Sequence, residues 1–257
     1  MRDWRPFGWT WNQLAKQNAL GAILTIDGKL GDWNVAEFLA TGKADVDRFM
    51  DDLNRLSPGT AHGHALDFGC GVGRITRGLA EHFTEVVGAD VSPSMIDQAK
   101  ARHADSDRIT WVVNRKPHLK RFATDSFDVI YCRMVLQHIR PRIVVGYIAE
   151  LIRVLKPDGV LMFQLPEVTS DSERGSVEAP VIGGWKQQLP TPVVRAWRRS
   201  KYRLLTKAGR VVIEMFGMNR PDVEDVITKS GGRLIWAQPD NSHGPDGFGF
   251  EYWVTKP

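Results

Sequence analysis

The stretch ALDFGCGVGRIT, residues 65–76, constrains this chain more than any other. A short apolar run ends around Asp67, and three glycines, Gly69, Gly71 and Gly73, follow within five positions. Glycine reaches backbone conformations closed to other residues and lets a ligand approach the main chain, so a strand, a tight bend and a helix start are expected here. The spacing is GxGxG, with Arg74 where the third glycine of a GxGxxG dinucleotide loop would stand.

The pattern around this loop predicts repeated strand and helix units. HALDF (64–68), TEVVGAD (84–90), ITWVV (109–113), FDVIYCR (127–133) and VLMFQLP (160–166) read as buried strands. Between them, VGRITRGLAEHF carries Ile75, Leu79 and Phe83 at helical spacing, and SPSMIDQAKARHA (92–104) opens with a Ser-Pro helix start. HIRPRIVVGYIAELIRVLKPDG (138–159) reads as one helix closed by Pro157 and Gly159. Such alternation predicts an α/β fold with a doubly wound parallel sheet, whose ligands sit at the carboxyl ends of the strands. Asp67, Asp90 and Asn114 end the first three strands and are expected to converge there.

Outside this core, residues 1–60 read as a helical N-terminal cap rich in tryptophan, with Trp4, Trp9, Trp11 and Trp33. Residues 61–166 form the expected ligand-binding core, and 167–219 an irregular insertion suited to a substrate cap. Residues 220–257 hold a helix and two strand-like runs, RLIWAQ and FGFEYWVTK, joined by the loop PDNSHGPDG and fit for an antiparallel hairpin. The whole reads as a single domain, with no repeats.

The acids narrow the ligand. A carboxylate at Asp67, two residues before the loop, repels a diphosphate and favours a cationic group. Asp90, 17 residues past Gly73, is placed to accept hydrogen bonds from ribose hydroxyls. A ribose and a positive centre without a diphosphate describe S-adenosylmethionine.

DFGCGVGRIT, VVGADVSPSMI, FDVIYCRMVLQHI and LIRVLKPDGVLMFQLP resemble, in order and spacing, the successive motifs of class I S-adenosylmethionine-dependent methyltransferases. The flanking stretches resemble a bacterial small-molecule subgroup whose substrates are unassigned. The resemblance implies a Rossmann-like, mostly parallel seven-stranded sheet with an antiparallel C-terminal hairpin. It also implies that Asp67 and the Gly69 backbone hold the amino acid end of the cofactor, with Cys70, Gly71 and Gly73 lining the bend. Asp90 would bind the ribose, Val91 and Met95 would flank the adenine, and Asn114 would face its amino group with Arg115 beside it. Cys132 and Arg133 would border the methionyl portion. The subgroup has an acid and a glycine after the Asn114 position, whereas this chain has Arg115 and Lys116.

His138 is the candidate catalytic base, with helix capping or packing as the alternative, and Gln137 is a candidate polar substrate contact. Trp9 and Trp11 either close over the substrate, excluding water from the reacting centre, or pack within the cap. The basic residues Arg195, Arg198, Arg199, Lys201 and Arg203 read as a solvated face, or else as a site for an anionic or lipid-linked substrate.

Composition excludes several classes. An apolar content of 42% suits a packed core rather than disorder, and a net charge of +4 is too small to select nucleic acid. Cys70 and Cys132 are the only cysteines, so neither a disulfide framework nor a metal site is expected. The N-terminus does not read as a signal peptide, and no segment is apolar over the roughly 20 residues of a bilayer span, so a cytoplasmic protein is expected. Three functions compete. The first is a small-molecule methyltransferase acting on oxygen of a sugar, lipid or secondary metabolite. The second is an RNA or protein methyltransferase, and the third a nucleotide-dependent oxidoreductase or non-catalytic binding module. The oligomeric state is left open.

Overall fold

The computed structural model describes residues 5–24, 33–167, 215–240 and 248–257. The basic run 195–203, most of the insertion 167–219, the loop joining the last two strands, and Trp4 lie outside them.

The chain opens with α1 (Arg5–Ile23) and α2 (Val35–Leu56). The alternating core follows: β1 (His64–Phe68), α3 (Arg74–Leu79), β2 (Glu85–Asp90), α4 (Pro93–Arg102), β3 (Ile109–Val113) and β4 (Phe127–Cys132). A single 3-10 turn (Leu136–His138) leads into α5 (Pro141–Val154) and β5 (Leu155–Pro166). After the insertion come α6 (Arg220–Lys229), β6 (Arg233–Asp240) and β7 (Gly249–Thr255).

The strands form a seven-stranded sheet in the order β3-β2-β1-β4-β5-β7-β6. The five strands from β3 to β5 pair in parallel, and β7 runs antiparallel to both β5 and β6. The expected α/β class, the parallel core and the C-terminal hairpin are all present. The order reverses between β1 and β4, which places the crevice for a ligand at their carboxyl ends.

Alternating side chains send Ala65, Val129, Tyr131, Val160, Met162 and Trp253 to one face, under α2 and α3. Leu66, Phe68, Ile130, Cys132, Leu161 and Phe163 point to the other face, under α5 and α6. The helix α2 does more than cap the chain, because Phe49 stacks on Trp253 at 5.1 Å and meets Tyr131 edge-on at 5.2 Å. It is therefore part of the sheet's cover.

Two helices are shorter than their periodicity predicts. The one after the glycine loop covers 74–79 rather than 72–83, because Gly73 takes a left-handed conformation (φ 88°) and serves as N-cap. The expected helix over 138–159 is corrected at both ends. It begins at Pro141, whose fixed φ suits the first helical position, and His138 belongs to the preceding 3-10 turn. It ends at Val154, because Leu155 already pairs with Phe127, so Pro157 and Gly159 lie in an irregular start of β5.

Candidate functional site

The bend after β1 is built by three left-handed glycines, Gly69 (φ 85°), Gly71 (φ 54°) and Gly73 (φ 88°). The N–H groups of Gly69 and Cys70 both donate to Ala89 O, at 2.7 and 3.1 Å, which ties the bend to the end of β2. Space is as tight as conformation there: a Cβ on Gly69 would lie 2.2 Å from Val135, and one on Gly73 2.4 Å from Trp111.

Asp90, at the end of β2, is held by the same bend. Its two oxygens accept from Gly71 N at 3.0 Å and from Ser92 N at 2.8 Å. Each carboxylate oxygen keeps a further lone pair, so two hydroxyl donors can still be met. Burial raises the Asp90 carboxyl to about 6, against the pull of the Ser92 and Gly71 N–H groups.

Asp67 is 3% exposed and faces α3, where Thr76 Oγ1 donates to its Oδ2 at 2.6 Å. Burial raises it to about 7, opposed by the Thr76 hydrogen bond and the charge of Arg74. Two acids with raised affinity for protons beside one bend make a place that favours donors and positive charge.

The other expected residues divide. Val91 lies against Gly8 of α1, 3.0 Å from where a Cβ on that glycine would stand, while Met95 is fully buried among Ala15, Ala19, Leu20, Phe38 and Val72. Asn114 N donates to Asp90 O at 2.7 Å, so it stands beside the acid, but its Nδ2 donates to Lys116 O at 3.2 Å. Tyr147 Oη donates to the same carbonyl at 2.9 Å. These bonds fasten the Arg115–Lys116 turn by its backbone and leave both side chains exposed. Cys70 and Cys132 are buried, and burial pushes both thiols up, with the charges of Asp90 and Asp67 adding to the rise at Cys70 and that of Asp67 at Cys132. A thiolate nucleophile is thereby disfavoured.

At the end of β4, Met134 takes a left-handed φ of 59°, unusual for a residue with a side chain, and its N–H donates to Gln164 Oε1 at 2.9 Å. The 3-10 turn beyond it presents Gln137 and His138, whose Nε2 atoms lie 3.2 Å apart. With the amide nitrogen donating, the imidazole proton is assigned to Nδ1. Trp11 of α1 meets the His138 ring edge-on at 5.1 Å, so the N-terminal helix reaches across to this turn. Trp9 is 52% exposed.

Sequence reasoning missed an ion cluster behind the crevice. Asp45 of α2 pairs with Arg74 at 2.7 Å and with Arg133 at 3.5 Å, and Arg133 lies 3.8 Å from Asp240 at the end of β6. Thr76 was missed as well, its one trace being a hydroxyl a turn inside the helix. Among the described residues no group of three or more His, Cys, Asp or Glu side chains is placed to hold a metal ion. None of the described helices is long and apolar enough to cross a membrane.

Residues 65–159 match the family model described as a methyltransferase domain. Over 180 residues the chain is 30% identical to trans-aconitate 2-methyltransferase of Methylobacterium radiotolerans, covering 64% of this chain and 62% of that protein. Over 103 residues it is 36% identical to the ubiquinone biosynthesis O-methyltransferase of Coxiella burnetii, covering 39% of this chain and 42% of that protein. The chain thus spans less than two thirds of either curated relative. The fold is shared with a SAM-dependent methyltransferase from Leishmania major at a TM-score of 0.61 and 15% identity, over 98% of this chain and 83% of that one. Residues 65–159 thus match a methyltransferase domain, and the sheet that carries them has the fold of a SAM-dependent methyltransferase.

Proposed function

We propose that this protein transfers a methyl group from S-adenosylmethionine to an oxygen of a small molecule, in the cytosol. The observation that carries the proposal is the Asp90 carboxylate at the end of β2, fixed by Gly71 N and Ser92 N beside a bend of left-handed glycines. Asp90 binds the ribose hydroxyls, and the buried charge of Asp67 favours the cationic end, acting through the bend rather than from open surface. Val91 borders the adenine, while Cys132 and Arg133 border the methionyl chain with their backbone. The match to curated relatives named for trans-aconitate and ubiquinone biosynthesis supports a small acceptor.

The cofactor supplies an activated methyl group on a sulfonium. The protein has to align the acceptor with that methyl and keep water out. His138, beside the end of β4, is the base for a protonated acceptor: Gln137 keeps the ring proton on Nδ1, and the Nε2 lone pair passes from the Gln137 amide to the acceptor hydroxyl. Trp11, against the His138 ring, closes the crevice from above.

The test is a screen with methyl-labelled cofactor against cell extract and defined hydroxyl- and carboxyl-bearing compounds. Label in a small molecule is the expected result. Label confined to RNA or protein overturns the acceptor class, and binding of NADH in place of S-adenosylmethionine overturns the reaction.

The two acids also set opposite pH trends. With folded values of about 7 for Asp67 and about 6 for Asp90, the ligand-free fold retains protons that the unfolded chain loses above about pH 4. This contribution to stability is complete below the ordinary carboxylate value and is lost as pH rises through the folded values. Cofactor binding prefers the ionised acids and runs the other way. From pH 6 to pH 8, cofactor affinity by calorimetry is expected to rise about tenfold while this part of the ligand-free stability falls. An affinity flat over that range would separate the acids from the ligand.

A further inference from the structure

The helix α1 comes to the crevice from outside the sheet, and one of its side chains touches the turn that carries Asp90. Asn12 Oδ1 accepts from Ser92 Oγ at 3.2 Å and from Ser94 N at 3.0 Å. Both donors belong to the start of α4, where Ser92 is the N-cap and its Oγ accepts from Met95 N at 3.2 Å. The first N–H groups of a helix lack partners within it, and one capping side chain ordinarily meets one of them. Here a second oxygen, from a residue far earlier in the chain, meets another.

This arrangement fixes Ser92. The single hydroxyl proton of Ser92 is directed at Asn12, which turns its lone pairs to Met95 N. The Ser92 N–H, held by the same turn, is the one that grips Asp90 Oδ1. The other Asp90 oxygen is gripped by Gly71 N, and Ile23 of α1 sits over that glycine, 2.6 Å from where a Cβ would stand. Between these two footholds α1 is broken at Asn18 (φ −159°, ψ 91°), whose Oδ1 accepts from Gly21 N at 3.0 Å. The two pieces of α1 therefore seat separately, one on each side of Asp90.

The geometry points to Asn12 as a positioning residue for the nucleoside end of the methyl donor: through Ser92 it holds the Asp90 carboxylate in the orientation that accepts the ribose hydroxyls. This rests on the cofactor assignment above and adds a dependence that the strand-end motifs lack. Affinity for the nucleoside is set in part by an N-terminal helix outside the 65–159 domain.

The test is calorimetry of S-adenosylhomocysteine binding to the full chain, for Asn12→Ala and Asn12→Asp, each in the native and in the Asp90→Ala background. Alanine favours a helix, so the fold is retained, and circular dichroism checks it. Asn12→Ala is expected to weaken binding about tenfold, while Asn12→Asp, which keeps the acceptor oxygen at a helix N-terminus, stays within about threefold of the native chain. In the Asp90→Ala background the Asn12→Ala effect is expected to shrink below about twofold, since the group it acts on is gone. Native affinity in Asn12→Ala, equal losses in Ala and Asp, or an undiminished loss without Asp90 would each overturn the assignment. A native chain that ignores S-adenosylhomocysteine overturns the proposed function, and this inference with it, which tells the two failures apart.

Discussion

Asp90→Ala is expected to weaken S-adenosylhomocysteine binding by about a hundredfold, from the loss of hydrogen bonds between two hydroxyls and a charged acceptor. The loss has a second source, because Asp90 also orders its own surroundings. Without it Gly71 N and Ser92 N lose their shared acceptor, and the glycine bend loses its tie to the start of α4. Asp90→Asn separates the two contributions. The amide retains one acceptor oxygen for the backbone but no charge for the ribose, so its affinity should fall between those of the native chain and Asp90→Ala. Little effect on ligand-free stability is expected, since burial already disfavours the ionised acid and offsets the lost backbone contacts. Calorimetry at neutral pH reads the result, and native affinity in Asp90→Ala would remove the ribose assignment.

The second large effect concerns α2, which contributes no candidate contact to the cofactor. A Cβ on Gly42 would lie 2.3 Å from Arg74 O and 2.8 Å from Arg74 C, main-chain atoms of the residue that follows the glycine bend. No rotamer change relieves such an overlap, so α2 and α3 would have to part. Helix propensity argues the reverse, favouring alanine over glycine in a helix by about 1 kcal/mol. Overpacking of a close helix contact costs more, and Gly42→Ala is expected to destabilise the chain by about 2–3 kcal/mol and lower its melting temperature by about 5–10 °C. Gly146 supplies the control. It lies in α5, exposed, with nothing within 4 Å of its added Cβ, so Gly146→Ala should stabilise by about 0.5–1 kcal/mol. Equal gains at the two positions would show that α2 does not bear on Arg74. The same separation would strain the Asp45–Arg74 pair, so cofactor affinity should fall along with stability in Gly42→Ala.

How far the sequence could be read depends on the range of the signal. β1, β2, β3 and β4 announce themselves because each is a short apolar run, and β1, β2 and β3 bring an acid or amide to the same edge of the sheet. The glycines were legible as a candidate site because strand, bend and helix start are written within about ten residues, and Asp90 because it ends the next apolar run just before a Ser-Pro helix start. Helix ends were less legible. Periodicity runs past both helices, but the left-handed Gly73 decides where the one after the glycine bend begins, and the pairing of Leu155 with Phe127 decides where α5 stops.

The sequence by itself determined the layer order of the core, the bend and the two acids that face it, because these depend on residues close in the chain whose conformational preferences agree. Only the tertiary structure decided that Asp67 is satisfied by Thr76, that Asp45 joins Arg74 to Arg133, and that Asn12 reaches the turn at Ser92. Such pairs have no period and no fixed spacing. They arise where two helices or a helix and a strand are brought together by burial of their apolar faces, and a polar group left at that contact must find its partner in whatever the packing places opposite it.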